Sequence, residues 1–120
     1  YVQQTNDNER AFLAEAGVTV LHDRAMALPV PDGMCGASPE YWVQITEEAA
    51  DPGADAYFVS CTNIQAIEAI PELERRLGKP VVTSNQATLW YSLRSCGMDQ
   101  DIPQLGRLFR LGRPAAAAVH

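Results

Sequence analysis

The strongest candidate for chemistry in this chain is a cysteine, Cys61, within the tetrapeptide Ser60-Cys61-Thr62-Asn63. The preceding run, Tyr57 to Val59, predicts a buried strand, because a half-exposed strand would alternate apolar and polar residues. From Ile64 to Ile70 the apolar residues have helical spacing, and both Thr62 and Asn63 are suitable N-caps. Cys61 is therefore expected between a strand end and a helix start, where unpaired N–H groups stabilise a thiolate. The alternative is a buried cysteine without chemistry.

The other thiols and the histidines fit structural roles better. Three cysteines, an odd number without metal-ligand spacing, indicate free thiols in a reducing compartment, and we expect the cytoplasm. Cys35 and Cys96 are interpreted as structural or incidental thiols, and His22 as a solvated residue at a strand end. Neither His22 nor His120 has a partner at metal-ligand spacing. Because no glycine-rich phosphate motif occurs either, we expect no metal and no cofactor.

The composition narrows the class of partner. The chain has 120 residues, of which 47% are hydrophobic and 20% charged, as in an ordinary globular domain with a single core. Its net charge of −6, without a basic cluster, argues against nucleic acid and against anionic membranes. No apolar run approaches the roughly 20 residues of a membrane span.

Periodicity and turn residues predict alternating helices and strands. In order, we expect a helix over 2–16 that Gly17 ends, a strand over 18–21, a loop over 23–37, a helix over 38–50, the strand over 57–59, a helix over 64–77 that Pro71 kinks or restarts, a strand over 81–83, a helix over 86–96, and a short helix containing Leu105, Leu108 and Phe109. This order indicates an α/β fold, a parallel sheet with helices on both faces.

Such a unit ordinarily begins with a strand, and here the first helix has none before it. We therefore expect a chain truncated before its first strand, with an α/β unit over 1–112 and a disordered tail over 113–120. The same patterns give the first helix an apolar face that includes Phe12 and Leu13, and they direct Leu89, Trp90 and Leu93 of the last long helix inward. The truncation should deprive Phe12 and Leu13 of the surface that they would cover. Asn85 is read as an N-cap, and the cluster over 72–76 as a solvated helix face with internal ion pairs.

Short motifs occur in order from residue 1 to about residue 109: Tyr1-Val2 with Asn6, Phe12-Leu13 and Gly17; Ala54-Asp55-Ala56; Ser60-Cys61-Thr62-Asn63; Leu73-Glu74 with Leu77-Gly78-Lys79-Pro80-Val81; Ser84-Asn85-Gln86-Ala87 with Trp90; Leu93-Arg94 with Gly97; and Gly106-Arg107-Leu108. Together they resemble the aspartate/glutamate racemase superfamily, and more narrowly its maleate cis-trans isomerase and arylmalonate decarboxylase branch. The resemblance implies a two-domain, pseudo-symmetric fold whose cleft receives one cysteine from each half in a typical isomerase or racemase. The chain resembles the carboxyl-terminal half, so the amino-terminal partner half is expected to be missing and the piece to be inactive.

The resemblance also implies roles for individual residues. Cys61 corresponds to the second catalytic cysteine, a general acid/base in the isomerases and the group that protonates the carbanion in the decarboxylases. Thr62 and Asn63 would present N–H groups to a substrate carboxylate, and Tyr1 matches a tyrosine whose hydroxyl binds one. The family places an asparagine in the loop after the second strand, whereas this chain has Asp32 there, an acid that would repel a dicarboxylate.

Three functional hypotheses follow. The first is a cofactor-independent, cysteine-based isomerase resembling maleate isomerase, which converts maleate to fumarate, with a small dicarboxylate as substrate and a homo-oligomer as a possible state. The second is an amino-acid racemase or an arylmalonate decarboxylase-like enzyme. The third belongs to another class: a non-catalytic, flavodoxin-like domain that binds an anion or nucleotide at its strand ends.

Overall fold

The sheet consists of two short parallel strands. The computed structural model describes residues 3–25 and 33–112. The helices are α1 (Gln3–Glu15), α2 (Gly33–Gly36), α3 (Pro39–Glu48), α4 (Ile70–Leu77) and α5 (Ser84–Ser95), the strands are β1 (Tyr57–Val59) and β2 (Val81–Thr83), and 3₁₀ turns cover Ile67–Ala69, Pro103–Leu105 and Arg107–Arg110. β1 pairs with β2 in parallel, with Tyr57 opposite Val81 and Val59 opposite Thr83. The predicted parallel sheet with covering helices is confirmed.

One apolar core joins this sheet to α3, α4 and the turn between β1 and α4. Ile70 and Val81 have no exposed surface, and Leu73 is 1% exposed. The other buried members are Trp42, Val43, Val59, Cys61, Ile64, Ala66 and Ala69. The core therefore lies directly behind the carboxyl end of β1, and Cys61 is part of it.

Helix ends that depend on adjacent residues lie where the sequence predicted them. The Ser38 side chain accepts a hydrogen bond from the Tyr41 N–H at the start of α3, with Pro39 in the first turn. Gly17 and Gly97 follow the carboxyl ends of α1 and α5 with φ of +82° and +83°. This conformation is least costly for glycine, which has no Cβ.

The helix predicted over 64–77 is wrong in its first half. Residues 62–64 form a bend, a 3₁₀ turn follows at Ile67–Ala69, and the α-helix begins only at Ile70. Pro71 lies in the first turn of α4, because it has no N–H to continue a helix entering from upstream. Thr62 and Asn63 are therefore not N-caps, whereas the prediction that Pro71 restarts the helix is confirmed.

The strand predicted over 18–21 is not formed, and α1 buries none of its thirteen residues. Phe12 is 70% exposed, and Val18 and Leu21 are about half exposed. A strand is defined by its hydrogen-bonded neighbour, and no described strand pairs with residues 18–21. Phe12 and Leu13 lie on the predicted apolar face of α1, and no described residue buries that face.

Helix α5 buries polar rather than apolar residues. Its N-cap is Thr83, whose side chain accepts from the Gln86 N–H while the Gln86 side chain accepts from the Thr83 N–H, so the cap predicted at Asn85 is wrong. Gln86 is fully buried, whereas Leu89, predicted to face inward, is 40% exposed. Gln86 is retained in the interior because its Nε2 donates to the Leu105 carbonyl at 2.5 Å.

Among the residues that the structure describes, Arg94 is the largest fully buried side chain, at 1% exposure. Its guanidinium donates at 2.7–3.0 Å to four backbone carbonyls, and its Cζ lies 5.4 Å from the centre of the Phe109 ring. The carbonyls belong to Met98, Gln100, Phe109 and Leu111. Arg94 therefore fixes the segment that follows α5, where the predicted short helix is present as two 3₁₀ turns with Phe109 buried.

Helix α4 carries two glutamates with different roles. Glu72 forms the expected surface ion pairs with Arg75 and Arg76, both at 2.6 Å. Glu74 was assigned to the same solvated face, but its carboxylate accepts from the Val81 N–H at 3.1 Å and the Arg107 N–H at 3.0 Å. It thereby links α4 to β2 and to the last 3₁₀ turn.

Within the described residues, no helix is long and apolar enough to cross a membrane. The proposed tail over 113–120 and two residues singled out from the sequence, Tyr1 and Asp32, lie outside the described residues.

Candidate active site

Cys61 follows β1 directly and has an unusual backbone conformation. It is 7% exposed, and its φ of +149° is the one positive value among the described residues other than glycine. Such conformations cost about 1–3 kcal/mol in residues with a side chain and cluster at functional sites. The backbone is held there because the Cys61 N–H donates to the Ser84 hydroxyl at 3.1 Å.

The Cys61 sulfur receives a hydrogen bond from its own loop. The Asn63 N–H donates to Sγ at 3.4 Å. The sequence predicted N–H groups of a helix start around this thiol, but here a bend supplies the donor. The sulfur therefore has a polar partner within its own loop.

The first turn of α5 braces this loop. Besides the Ser84 contact, the Asn85 amide donates to the Thr62 carbonyl at 3.1 Å. Asn85 was interpreted as a helix cap, and the structure corrects this to a contact across 23 residues. The parallel pairing of β1 with β2 brings the two strand ends together and makes the contact possible.

A second cysteine lies beside the loop. The Cys35 thiol donates to the Asn63 side-chain oxygen at 2.8 Å, and the Gln65 amide donates to the Cys35 carbonyl at 2.6 Å. Both Cys35 and Asn63 are exposed. Sequence reasoning missed this contact, since no local pattern relates residues 28 apart.

Next to Ser60 and Cys61 opens a cleft of about 700 Å³ between β1, α1, α3 and residues 17–24. At its edge the Ser60 hydroxyl donates to the Glu9 carboxylate at 2.5 Å. Asp23 pairs with Arg10 and also accepts from Gln3. The hydrogen bond from Gln3, and then that from Arg10, hold the pKa of Asp23 below its usual value. Arg10 and Asp23 therefore neutralise each other at the edge of the cleft.

Three of the four residues assigned from the resemblance are described, and they are adjacent. Cys61 is buried, whereas Thr62 and Asn63 are exposed on the bend, and Tyr1 lies outside the described residues. His22 is exposed, as expected, and borders the cleft. Over residues 3–25 and 33–112, no group of three or more histidine, cysteine or acidic side chains could hold a metal ion.

Comparison with known proteins identifies the family to which the chain belongs. A family model described as arylmalonate decarboxylase matches residues 1–109. The chain belongs to this family. The resemblance to the maleate isomerase and arylmalonate decarboxylase branch of the racemase superfamily is thereby confirmed.

Two curated relatives illustrate the breadth of the arylmalonate decarboxylase family. The chain is 34% identical over 112 residues to arylmalonate decarboxylase of Bordetella bronchiseptica, covering 91% of this chain and 47% of that protein. It is 28% identical over 98 residues to maleate isomerase of Pseudomonas putida, covering 81% and 39%. The chain therefore spans about half the length of the relatives it matches, or less.

Solved structures agree with the sequence matches. A crystal structure of arylmalonate decarboxylase superimposes with a TM-score of 0.83 at 34% identity, covering 91% of this chain and 49% of that one. An unliganded structure gives a TM-score of 0.80 at 33% identity, with the same coverage. The described fold is consequently part of a racemase-like fold, as the sequence predicted.

Proposed function

We propose that this chain supplies the Cys61 wall of an active site that decarboxylates or isomerises a small carboxylate without a cofactor. The observation that carries the proposal is the placement of Cys61, a buried thiol at the carboxyl end of a parallel strand with an N–H on its sulfur. Open α/β sheets bind their ligands at this end. Family membership supplies the class of reaction.

Decarboxylation is the reaction that we favour, whereas the sequence alone favoured isomerisation. The matching family model is named for it, and identity to the decarboxylase, 34%, exceeds the 28% to maleate isomerase. Isomerisation of maleate is the second candidate, and the match to maleate isomerase over 81% of this chain supports it. Both relatives are enzymes, which disfavours the hypothesis that this chain is a non-catalytic, flavodoxin-like binding domain.

In decarboxylation, Cys61 would act as the proton donor. When the bond to CO₂ breaks, its electron pair remains on the α-carbon and delocalises into the other carboxylate. The Cys61 S–H then gives its proton to that carbon, the sulfur keeps the electron pair as a thiolate, and water restores the proton. The Asn63 N–H at 3.4 Å favours this step because it stabilises the thiolate that forms.

In isomerisation, the same thiol would serve as acid/base rather than as nucleophile. A nucleophile must saturate the double bond, rotation follows, and expulsion restores the bond. That nucleophile would have to approach from a wall opposite Cys61. The substrate carboxylate would bind the Thr62 N–H, which makes no hydrogen bond to a described residue, whereas the Asn63 N–H is occupied by sulfur.

Protection against alkylation tests the site directly. The full chain would be treated with iodoacetamide, with and without phenylmalonate, and each cysteine followed by mass spectrometry. We expect phenylmalonate to slow the modification of Cys61 at least fivefold and to leave that of the exposed Cys96 unchanged. Equal rates at Cys61 with and without phenylmalonate, and likewise with maleate, would overturn the proposal.

Measurements of turnover test two questions: whether the chain alone is active, and whether any activity depends on Cys61. We expect the 120-residue chain alone to release no CO₂ from phenylmalonate and to form no fumarate, because such chemistry needs two opposed groups held in register. If the chain does turn over, Cys61→Ser should abolish it and Cys96→Ser should not. Turnover that survives Cys61→Ser would refute the assignment.

A further inference from the structure

Cys61 is strained at a torsion that relates its N–H to its side chain. Its φ of +149° lies in a region that glycine occupies and that residues with a side chain rarely adopt. This torsion turns about the bond between N and Cα, so it sets the direction of the Cys61 N–H relative to the direction of the side chain. Both groups must therefore be held, because the backbone would otherwise rotate to a negative φ.

Each of these two groups has a partner. The Cys61 side chain belongs to the apolar core and is 7% exposed. The Cys61 N–H donates to the Ser84 hydroxyl at 3.1 Å. On the other side of the thiol, the Asn85 amide donates to the Thr62 carbonyl at 3.1 Å. Two consecutive residues of α5 thus bind the main chain before and after the Cα that carries the thiol.

The Ser84 hydroxyl is not needed to start α5. Thr83 caps this helix in a reciprocal pair with Gln86. Ser84 comes directly after β2, at the point where the pairing of β2 with β1 ends. There its side chain, rather than a main-chain carbonyl, accepts the hydrogen bond from Cys61. The hydroxyl is therefore free to hold the loop that follows β1.

The support behind Ser84 is firmly held. Thr83 is 2% exposed and Gln86 is fully buried. The Gln86 Nε2 also donates to the Leu105 carbonyl at 2.5 Å, which ties the first turn of α5 to a distant segment. Moving Ser84 would require breaking these buried hydrogen bonds, which is costly. An acceptor on such a support can keep a strained neighbour in place.

We propose that Ser84 is a positioning residue for Cys61: its hydroxyl keeps the strained backbone and thereby fixes the position of the sulfur. This inference rests on the proposed function, in which the Cys61 thiol transfers a proton. Proton transfer requires the donor to lie within hydrogen-bond reach of the acceptor, so the position of the sulfur affects the reaction directly. Ser84 acts through the backbone of Cys61, and Asn85 supports the same conformation from the other side.

Two substitutions at one position and a matched control test this role. Ser84→Ala removes the hydroxyl, and Ser84→Thr retains it. The control is Ser92→Ala, because Ser92 is exposed on the same helix and its hydroxyl donates to the Thr88 carbonyl. In each full chain, alkylation of Cys61 by iodoacetamide is followed by mass spectrometry, with the exposed Cys96 as the internal reference.

Without the hydroxyl, the backbone of Cys61 should relax and carry the thiol toward solvent. We expect Ser84→Ala to speed the alkylation of Cys61 at least threefold relative to Cys96. Protection of Cys61 by phenylmalonate should fall from at least fivefold to less than twofold. Amide exchange of the Cys61 N–H, followed by NMR, should become at least about fivefold faster. Ser84→Thr should restore all three values, and Ser92→Ala should leave them unchanged.

The proposal is overturned if Ser84→Ala leaves the alkylation and exchange rates of Cys61 unchanged, or if Ser84→Thr restores neither. It is also overturned if Ser84→Ala lowers only the urea midpoint, as a purely structural role predicts. If Ser84→Ala does not fold, Asn85→Ala provides the measurement, since it removes the second contact and should speed alkylation at least twofold; an unchanged rate would overturn the proposal.

Failure of the proposed function gives a different result. In that case neither phenylmalonate nor maleate protects Cys61 in the unsubstituted chain. The alkylation and exchange rates of Cys61, measured without either compound, still decide whether Ser84 holds its backbone.

Discussion

Replacing Arg94 by methionine should destabilise the chain more than removing any surface charge. The substitution keeps an unbranched, buried side chain of similar length and deletes the guanidinium. Four carbonyls then lose their donor, those of Met98, Gln100, Phe109 and Leu111. The substitution also removes a buried cation, and the free-energy cost of burying that cation no longer opposes folding. The nearest carboxylate to this cation, on Asp99, lies 3.9 Å away and is 59% exposed.

The size of this destabilisation depends on which of the four carbonyls can be hydrated once the guanidinium is absent. Phe109 is 1% exposed, so its carbonyl would remain buried without a donor, at a cost of about 1–3 kcal/mol. Met98, Gln100 and Leu111 are exposed, and a small movement would hydrate their carbonyls, which leaves the net loss of ordinary hydrogen bonds, about 0.5–1.5 kcal/mol each. We expect a total of about 2–7 kcal/mol, a large part of the 5–15 kcal/mol typical of a domain.

Urea denaturation of the full chain, followed by far-ultraviolet circular dichroism, measures this free energy. The matched control is Arg110→Met on the exposed side of the same segment, which should change it by less than about 0.5 kcal/mol. Arg94→Lys should recover only part of the loss, since one ammonium cannot reach four carbonyls in a fork. A loss below about 1 kcal/mol for Arg94→Met would refute the view that these bonds fix the segment.

Two further predictions concern α4 and its neighbours. Gly106 has φ of +77°, and a Cβ there would lie 2.5 Å from Ile70 Cγ2, so Gly106→Ala should cost about 2–4 kcal/mol in urea denaturation. Gly112→Ala, where a Cβ meets nothing within 4 Å, is its control, and equal costs would contradict the packing argument. Hydrogen bonds from Arg75, and then from Arg76, lower the pKa of Glu72 from 4.5 to about 2. A depressed pKa contributes stability above about pH 4.5 that is lost as the pH falls toward 2, so Glu72→Gln should flatten the decline of the urea midpoint over this interval; an unchanged slope would count against the ion pairs.

Features governed by adjacent residues could be predicted from the sequence. Ser38 before Pro39, and glycine at 17 and 97, fix helix ends through bonds and conformations within one turn. The apolar run at β1 likewise placed Cys61 at a strand end, which located the candidate site to within the bend that follows. The prediction that this strand is buried is wrong for Phe58, which is 49% exposed, since the run does not show whether a neighbour covers it.

Features that depend on distant partners could not be predicted. Arg94 and Gln86 are polar and were not assigned to the core, because only the fold shows which carbonyls they meet. The contacts of Asn85 with Thr62 and of Cys35 with Asn63 cross more than 20 residues and leave no local pattern. The prediction of a strand over 18–21 was wrong because its composition suits a strand, but a strand forms only where a neighbouring strand pairs with it.

Besides the buried Phe109 ring, helical side chains hold the segment from residue 102 to residue 111 through its main chain. Gln86 binds the Leu105 carbonyl, Glu74 binds the Arg107 N–H, and Arg94 binds the Phe109 and Leu111 carbonyls. None of these contacts depends on the identity of the residue that is held. Over evolution, the solvent-facing side chains of this segment should therefore vary freely, while selection acts on the three helical side chains that bind its backbone. A search for homologues that relies on the sequence of the segment itself would therefore underestimate how many relatives bind the segment in the same way.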